Sequence, residues 1–316
     1  MRERNTMNDA AHIPVLLHEV LEGLAVRPEG WYVDCTIGLG GHSRAILEAS
    51  SPGGRLLGLD ADPETLERAR LHLSPFGDRV RLVHSNFRNL QQIAHENDLL
   101  AANGILMDLG LSSWQLADAE RGFSFQQAGA ADMRFDREEG PSVADLLNTL
   151  DETELADIIW RYGEEPGARR IARAIMAARP IFTADKLAGV VAGALGRRGK
   201  IHPATRTFQA LRIAVNHELE ALQEALPQAV QLLAPEGRLA VIAFHSLEDR
   251  IVKTFFRDES RNCICPPELP GCVCNHQATV RLVAKKPITP GARELADNPR
   301  ARSAKLRIVE RIGQTT

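Results

Sequence analysis

Several glycines and acids near the start of the chain could together hold an adenosine-containing cofactor. Gly38, Gly40 and Gly41 follow a short apolar run, and Asp60 ends the next apolar run. Glycines in such a turn let the backbone approach a ligand closely, while an acid about twenty residues further on pairs with ribose hydroxyls. The spacing therefore predicts a nucleoside-binding turn between a strand and a helix.

Two further residues indicate the kind of cofactor. Ser43 stands where a dinucleotide-binding fingerprint has its third glycine. Asp34, which ends the first apolar run, would repel a pyrophosphate but suits a ligand that carries an ammonium group, as the methionine end of S-adenosylmethionine does. We therefore expect S-adenosyl-L-methionine in preference to a nicotinamide dinucleotide.

The strand-and-helix pattern that would position these residues is that of a parallel α/β sheet. Apolar runs and helical patterns alternate at the start of the chain, which is typical of parallel strands with helices on both faces. Pro63 directly after Asp62 is a natural helix start. The predicted strands are 31–37, 55–60, 79–84 and 104–109, and the predicted helices between them are 42–50, 63–73 and 87–96.

The pattern then changes for about a hundred residues, over which helical signatures dominate. We interpret residues 116–206 as a helical substrate-recognition domain inserted between two parts of the sheet domain, 1–115 and 207–316. A helix at 208–233 and a strand at 237–244 resume the sheet. The last strands, near 279–285 and 305–310, lack a helix between them and would pair antiparallel. The helices predicted inside the insertion are 142–150, 152–162, 168–178 and 184–195.

In such a sheet, ligands bind beyond the carboxyl ends of the strands, so the residues that follow the strands should meet in one cleft. Phe87 is placed to cover an adenine, and Asp108 to face the cofactor and the accepting base. Ser246 is read as a helix N-cap, with Glu248 and Asp249 in the first turn. His245 is left open between a core histidine and a site residue.

The predicted helix 205–222 has an apolar stripe and a polar face that could line the entrance to the cleft. The polar face consists of Thr205, Gln209, Arg212 and Asn216, and the apolar stripe consists of Phe208, Leu211, Val215, Leu219 and Leu222.

The composition is that of a folded protein without a membrane span. The chain has 316 residues, of which 44% are hydrophobic, enough for one large domain or two smaller ones. No apolar run approaches the length that crosses a bilayer, and the polar first residues do not resemble a secretory signal. These features predict a cytoplasmic protein.

Charge is distributed unevenly, although the net charge is only −3. Acids outnumber bases by eleven to three between residues 115 and 160, and bases outnumber acids by eleven to three between 161 and 212. A basic region beside an acidic one is typical of a phosphate-binding face. A solvated helix face with a chance excess of arginine stays open as the other reading.

Four of the five cysteines form a cluster: Cys263, Cys265, Cys272 and Cys274. Two Cys-x-Cys pairs could bind zinc, but metal knuckles usually have two residues between paired cysteines, since one makes it hard for both thiolates to reach the same ion. A cytosolic redox state argues against permanent disulfides. A reduced, proline-rich loop without a metal is therefore favoured, and a structural zinc site stays open.

At these residues the chain resembles the bacterial RsmH (MraW) family of 16S ribosomal RNA cytosine-N4 methyltransferases. The most specific strings are Arg-Gly-Phe-Ser-Phe at 121–125 and Phe-His-Ser-Leu-Glu-Asp-Arg at 244–250, and the match extends from His12 to Val309. The resemblance implies a Rossmann-like, seven-stranded class I methyltransferase sheet. It also implies a cytosine in the decoding (P-site) region of 16S rRNA, in the small ribosomal subunit, as the target. The residues implied to bind S-adenosyl-L-methionine are Gly40, Gly41, His42, Asp60, Phe87, Asp108 and Gln115.

The exocyclic amine of cytosine is a weak nucleophile, so the enzyme must hold its nitrogen in line with the sulfonium methyl. Asp108 with the backbone carbonyls of its turn is expected to do this. The target base would leave its stack to enter the cleft, and the basic region would hold the RNA backbone. The residues predicted to bind RNA are Arg197, Arg198, Lys200, Arg206 and Arg212.

Two other functions are weaker alternatives. DNA amino-methyltransferases usually have an Asn/Asp-Pro-Pro-aromatic turn after the fourth strand, and this chain has Asp108-Leu-Gly-Leu there. A non-catalytic RNA-binding ribosome-assembly factor would have no need of both the glycine loop and Asp60. The sequence indicates neither the oligomeric state, a homodimer included, nor whether naked RNA or an assembled subunit is the substrate.

Overall fold

A seven-stranded sheet forms the centre of the computed structural model, which describes residues 14–125, 128–196, 202–266, 268–269 and 271–313. The strand order is β3-β2-β1-β4-β5-β7-β6, with β1 to β5 parallel and β7 antiparallel to both neighbours. This is the order of a class I methyltransferase sheet, so the predicted fold class is confirmed. The strands are β1 (Trp31–Asp34), β2 (Arg55–Asp60), β3 (Val80–His84), β4 (Ala102–Asp108), β5 (Leu233–Ala243), β6 (Val280–Leu282) and β7 (Lys305–Arg311).

Helices cover both faces of the sheet because successive strand residues point to opposite sides. Leu57 packs into the core that contains α4 and α11, and its neighbour Leu56 packs into the core that contains α1, α2 and α3. None of the helices in the described ranges is long and apolar enough to cross a membrane. The helices are α1 (Leu17–Gly23), α2 (Gly41–Ala49), α3 (Pro63–Leu73), α4 (Leu90–Glu96), α5 (Ser113–Ala117), α6 (Val143–Thr149), α7 (Glu152–Gly163), α8 (Ala168–Ala178), α9 (Ala184–Leu195), α10 (Thr205–Asn216), α11 (Glu218–Leu232), α12 (Ser246–Glu259) and α13 (Ala292–Asp297).

Helices α6 to α10 have a hydrophobic core of their own, which extends along the chain from Phe123 to Leu211. Local capping starts two of these helices. The side chains of Ser142 and Asp151 each accept a hydrogen bond from the backbone N–H three residues further on. The acid at that position, Asp145 or Glu154, accepts a hydrogen bond from the backbone N–H of the capping residue. Phe208 and Leu211 of α10 belong to this hydrophobic core, so the first part of α10 packs with the helices α6 to α9. The domain boundaries at 115/116 and 206/207 stay predictions.

The helix predicted at 208–233 is two helices, α10 and α11, because His217 between them is left-handed, with φ 50° and ψ 40°. Asn216 is anchored outside the helix, where its Oδ1 accepts from the backbone N–H of Phe135 at 2.7 Å. The predicted apolar stripe is therefore divided. Leu211 lies in the helical core and Leu222 in the sheet core.

The last two strands pair antiparallel, as predicted, with Arg281 opposite Glu310. The expectation that no helix separates them is wrong. The short helix α13 and a 3₁₀ segment, Pro299–Ser303, lie between β6 and β7. Glu294 of α13 accepts a 2.7 Å hydrogen bond from the backbone N–H of Leu16, so this connection packs back onto the start of the described chain.

The four clustered cysteines bring their sulfur atoms within 4.8 Å of one another. The Sγ atoms of Cys272 and Cys274, separated by one residue, lie 3.6 Å apart. The expectation that a one-residue gap keeps paired thiolates from a common centre is therefore wrong for this loop. All four cysteines are free thiols.

Candidate active site

A cleft lies beyond the carboxyl ends of the parallel strands, as the sheet topology requires. The loops after β1, β2, β3, β4 and β5 all contribute to its lining, so the strand ends converge as expected. Gly40 is absent from that lining. The predicted cofactor residues that line the cleft are Gly41, His42, Asp60, Phe87, Asp108 and Gln115.

The glycine loop owes its shape to left-handed backbone. Gly38 has φ +53° and Gly40 has φ +84°, values that other residues rarely adopt. A side chain on Gly41 would lie 2.6 Å from Cγ of Pro14, so this position is limited by space. The backbone N–H of Gly38 donates to Oδ2 of Asp60 at 2.9 Å, which joins the loop to the end of β2.

Asp60 accepts two backbone hydrogen bonds and retains capacity for more. Its Oδ2 binds the N–H of Gly38, and its Oδ1 binds the N–H of Asp62, both at 2.9 Å. Desolvation in the cleft raises the pKa of Asp60 to about 7, against the effect of the two amide bonds. Since each carboxylate oxygen can accept a second hydrogen bond, Asp60 can bind a pair of vicinal hydroxyls.

Asp34 does not face the cleft as the sequence suggested. Its side chain is 1% exposed, and the hydroxyl of Ser43 donates to its Oδ2 at 2.6 Å. The backbone N–H of Thr36 donates to the other oxygen at 3.2 Å. Burial raises the pKa of Asp34, and the Ser43 bond opposes that rise. The interpretation of Asp34 as the partner of a ligand's ammonium group is therefore wrong, because the carboxyl group points into the protein behind the glycine loop.

Phe87 begins a 3₁₀ turn, Phe87–Asn89, directly after β3. Asn86 caps the turn by accepting a hydrogen bond from the N–H of Arg88 at 3.0 Å. The aromatic ring lines the cleft and packs partly against the sheet core. It thus offers an apolar face next to the strand that ends in Asp60.

Gln115 is held in a buried polar network at the base of the cleft. Its Nε2 donates to Asp62 at 2.8 Å, and Asp62 pairs with Arg121 at 2.8 Å. Arg121 is 1% exposed, and its guanidinium also donates to the carbonyls of Arg134 and Phe135 at 3.0 and 2.9 Å. Arg121 of the 121–125 string therefore connects the end of β2 to the segment around Phe135, which also lines the cleft.

Asp108 lies at the end of β4 with one carboxylate oxygen held and the other unpaired. His42 Nδ1 lies 3.4 Å from Oδ2, and the backbone N–H of Asp108 donates to Thr36 Oγ1 at 2.7 Å. Oδ1 is buried and has no hydrogen-bond partner in the described structure. Burial lowers the pKa of His42, but Asp108 and Asp34 outweigh it and raise the pKa above its usual value.

The far wall of the cleft comes from residues that the sequence reasoning mostly missed: Phe135, Glu218, Phe244 and Glu248, with Asn216 of the predicted polar face. Phe244 and Glu248 belong to the 244–250 string and Phe135 follows Asp-Met-Arg at 132–134, so the motifs contained the signal. Their spacing alone gave no reason to place them in the cleft.

Arg212, predicted to bind RNA, forms a buried ion pair with Glu218. Its Nε and Nη2 donate to the two carboxylate oxygens at 2.7 and 2.9 Å, a bidentate geometry. Burial raises the pKa of Glu218, and Arg212 opposes that rise. Arg212 thus supports the wall of the cleft and is poorly placed to hold a phosphate, contrary to the prediction.

His245, left open by the sequence, is the N-cap of α12, one residue before the predicted cap at Ser246. Its Nδ1 accepts from the N–H of Glu248 at 3.3 Å, and Glu248 accepts from the N–H of His245 at 3.2 Å. Burial raises the pKa of Glu248, but the bond and charge of His245, the charge of Arg212 and the backbone N–H of Phe244 together outweigh it, and the net shift is downward. Ser246 instead donates to Glu164, which directly follows α7, at 2.6 Å.

The sequence matches the MraW methylase family over residues 9–312. The chain belongs to this family. The Ribosomal RNA small subunit methyltransferase H of Dehalococcoides mccartyi (strain ATCC BAA-2266) is 55% identical over 309 residues, 98% of this chain and 88% of that protein. The proteins of the same name from Thermomicrobium roseum and Heliobacterium mobile are 55% and 50% identical, over 95% of this chain and 94% and 99% of their own lengths.

A solved rRNA methylase from Streptococcus thermophilus aligns with 94% of this chain and 93% of its own at 12% identity and a TM-score of 0.41, too distant a likeness to bear on function.

Membership in the MraW methylase family makes S-adenosyl-L-methionine the cofactor, and the cleft fits that molecule. Asp60 has acceptor capacity for ribose hydroxyls, and Phe87 offers a flat apolar surface. Asp108 adds a carboxylate with an unpaired oxygen, in keeping with a ligand that carries a sulfonium charge. When bound there, the cofactor supplies an electrophilic methyl group.

The basic residues of this MraW methylase are exposed in part. Arg197, Arg198 and Lys200 lie outside the described residues. Arg206 is exposed, and its Nη1 lies 3.7 Å from Oε2 of Glu165. Three further arginines are exposed along α8: Arg169, Arg170 and Arg173.

Proposed function

We propose that this chain transfers the methyl group of S-adenosyl-L-methionine to the exocyclic N4 amine of a cytosine in the decoding region of 16S ribosomal RNA. The observation that carries the proposal is the unpaired, buried Oδ1 of Asp108 in a cleft of the MraW methylase family. The names of the relatives, which describe methylation of small-subunit ribosomal RNA, supply the substrate class.

Asp108 has the chemistry that an amine acceptor needs. A cytosine amine must be held in line with the methyl group and lose a proton during the reaction. As the nitrogen–methyl bond forms and the methyl–sulfur bond breaks, that proton can pass to Oδ1 of Asp108. The contact with His42 orients the carboxylate, and the bond from the backbone N–H of Asp108 to Thr36 Oγ1 holds the main chain at this residue.

The far wall of the cleft supports entry of a single base. Phe135 and Phe244 give aromatic surface, and the oxygens of Asn216 and Glu218, which already accept from Phe135 and Arg212, retain acceptor capacity at the same wall. A base that leaves its stack is recognised by stacking on aromatic rings and by hydrogen bonds to its polar edge. The cleft therefore offers both kinds of contact next to Asp108.

The exposed arginines support a backbone-binding role for the insertion. Arg169, Arg170 and Arg173 project from α8, and the sequence places Arg197, Arg198 and Lys200 in the following segment, with Arg206 beyond it. Contacts with phosphates would give affinity that depends on salt and carries little sequence information. The substrate proposed here also places the protein in the cytoplasm.

The test is incubation of the enzyme with tritiated S-adenosyl-L-methionine and small ribosomal subunits from a bacterial strain that lacks the enzyme. Naked 16S rRNA and duplex DNA are assayed in parallel. We expect label in N4-methylcytidine after nucleoside analysis, and we expect nuclease fragments to locate it in the decoding region.

Three results would contradict the proposal. Label in another nucleoside would refute the N4 target, and label only in DNA would favour the amino-methyltransferase alternative. Binding of subunits without any transfer would favour an assembly factor.

A further inference from the structure

The loop from Cys263 to Cys274, here called the cysteine knuckle, brings four sulfur atoms to one point. The Sγ atoms of Cys272 and Cys274 are 3.6 Å apart, and those of Cys274 and Cys263 are 3.9 Å apart. Four sulfurs around a zinc ion at about 2.3 Å would lie about 3.8 Å from one another in tetrahedral geometry. The spacing is thus that of a tetrathiolate centre and is far longer than the roughly 2 Å bond of a disulfide.

Backbone amides point at the sulfurs in the way that stabilises metal thiolates. The N–H of Val273 donates to Sγ of Cys265 at 3.4 Å. The backbone N–H groups of Ile264 and His276 donate to Sγ of Cys274. Hydrogen bonds from the main chain to ligand atoms fix their direction. The main chain of the knuckle therefore fixes the directions of the Cys265 and Cys274 sulfur atoms.

The cysteine knuckle joins the end of α12 to the edge strand β6. His276 bonds through Nε2 to the carbonyl of Asp258 at 3.0 Å, and the N–H of Thr279 donates to the carbonyl of Glu259 at 2.9 Å. These bonds hold the two ends of the loop near each other. Strand β6 has only three residues, so a cross-link immediately before it would stabilise its pairing with β7.

We propose that Cys263, Cys265, Cys272 and Cys274 bind one Zn²⁺ ion as a structural site. Four thiolates in tetrahedral reach of each other select zinc or iron, and a set of four protein ligands leaves no position for a water or substrate. None of the four cysteines lines the cleft as described, so the ion would take no part in methyl transfer. Its role is to fasten α12 to the sheet edge.

The experiment uses the full chain, purified without a histidine tag under reducing conditions. Metal is measured by mass spectrometry, and we expect about one zinc per chain. Cobalt replacement should give the intense visible bands and the thiolate-to-cobalt charge-transfer band of a tetrahedral sulfur site. The double variant Cys263→Ser/Cys274→Ser should lose the metal, while Cys35→Ala, which removes the one cysteine outside the knuckle, should retain it.

A second measurement keeps the proposal testable if the double variant does not fold. Zinc is removed from the wild-type chain with a chelator and then restored, and amide hydrogen exchange is followed. Exchange in residues 271–282 should accelerate on removal and recover on restoration, whereas β2 should be unaffected.

Absence of metal together with no zinc uptake under reducing conditions would overturn the proposal. Iron in place of zinc, zinc retained by the double variant, or disulfide-bonded cysteines in the reduced preparation would do the same.

Discussion

The hydroxyl of Ser43 donates a 2.6 Å hydrogen bond to the buried carboxyl of Asp34. These are the two residues that distinguish the loop from a dinucleotide fingerprint, and their side chains bind each other. Ser43 thus fixes the first turn of α2 to the end of β1 from behind the glycine loop. The pair supports the glycine loop, and neither residue lines the cleft.

Ser43→Ala should therefore reduce stability more than it reduces cofactor binding. Loss of a partner for a buried carboxyl costs about 1–3 kcal/mol in the free energy of unfolding, measured by urea denaturation. The dissociation constant for S-adenosyl-L-methionine, measured by calorimetry, should change far less than in a variant at Asp60. Weakened binding with unchanged stability would mean that Asp34 meets the ligand after all.

Asp60→Asn should weaken binding of S-adenosyl-L-methionine by about ten-fold or more, because a hydrogen bond to a charged group contributes about 1.5–3 kcal/mol. Calorimetric titration measures the effect. Asp78→Asn makes the same chemical change at an exposed position and should leave the affinity unaltered. Equal affinities for all three proteins would remove Asp60 from the cofactor site.

The raised pKa of Asp60, about 7, predicts two opposite pH effects. Without ligand, the folded state holds the proton more tightly than the unfolded state does, so this group's contribution to stability is fully present below about pH 4 and is lost as the pH rises through about 7. Cofactor affinity should increase over the same upper range, because the ionised carboxylate is the better acceptor. Both trends should disappear in Asp60→Asn, and a pH-independent difference between wild type and variant would contradict the assignment.

Arg212→Met should destabilise the fold by about 3–5 kcal/mol, since it leaves Glu218 buried without its partner. Urea unfolding of Arg212→Met, Glu218→Met and the double variant forms a cycle, in which the double variant should recover much of the loss. Arg206→Met, at an exposed arginine, should change stability by only about 0.5 kcal/mol or less. Similar small effects at both arginines would restore Arg212 to the candidate RNA contacts.

Asp108→Asn should lower kcat by about 10²–10⁴-fold, the range for loss of a positioned proton acceptor. The amide keeps the shape of the side chain but cannot take the proton. Steady-state assays with small subunits separate the outcomes. A raised KM for S-adenosyl-L-methionine with unchanged kcat would make Asp108 a cofactor-binding residue only.

Local signals in the sequence were reliable where one element determines its own ends. Helix α3 and strand β2 have the predicted bounds, because Asp62 and Pro63 start the helix without help from other segments. The break at His217 could not be predicted in this way. The residue before the break, Asn216, is bound to Phe135, which lies 81 residues away in the chain.

The same distinction applies to the candidate site. The residues that follow the strands converge because topology requires it, so Asp60 and Asp108 were placed correctly beside the cleft. The direction of a side chain such as Asp34, and the partner of Arg212, follow from packing between distant segments. Composition and spacing contain no information about either.

The position of Arg121 has a consequence for how the protein can vary. Its guanidinium binds Asp62, which supports Gln115 on the cofactor side of the cleft. It also binds the carbonyls of Arg134 and Phe135, on the side that a substrate would contact. A substitution of Arg121 would therefore alter the cofactor side and the substrate side of the cleft together. Mutations at this residue cannot change the recognition of one ligand without affecting the other.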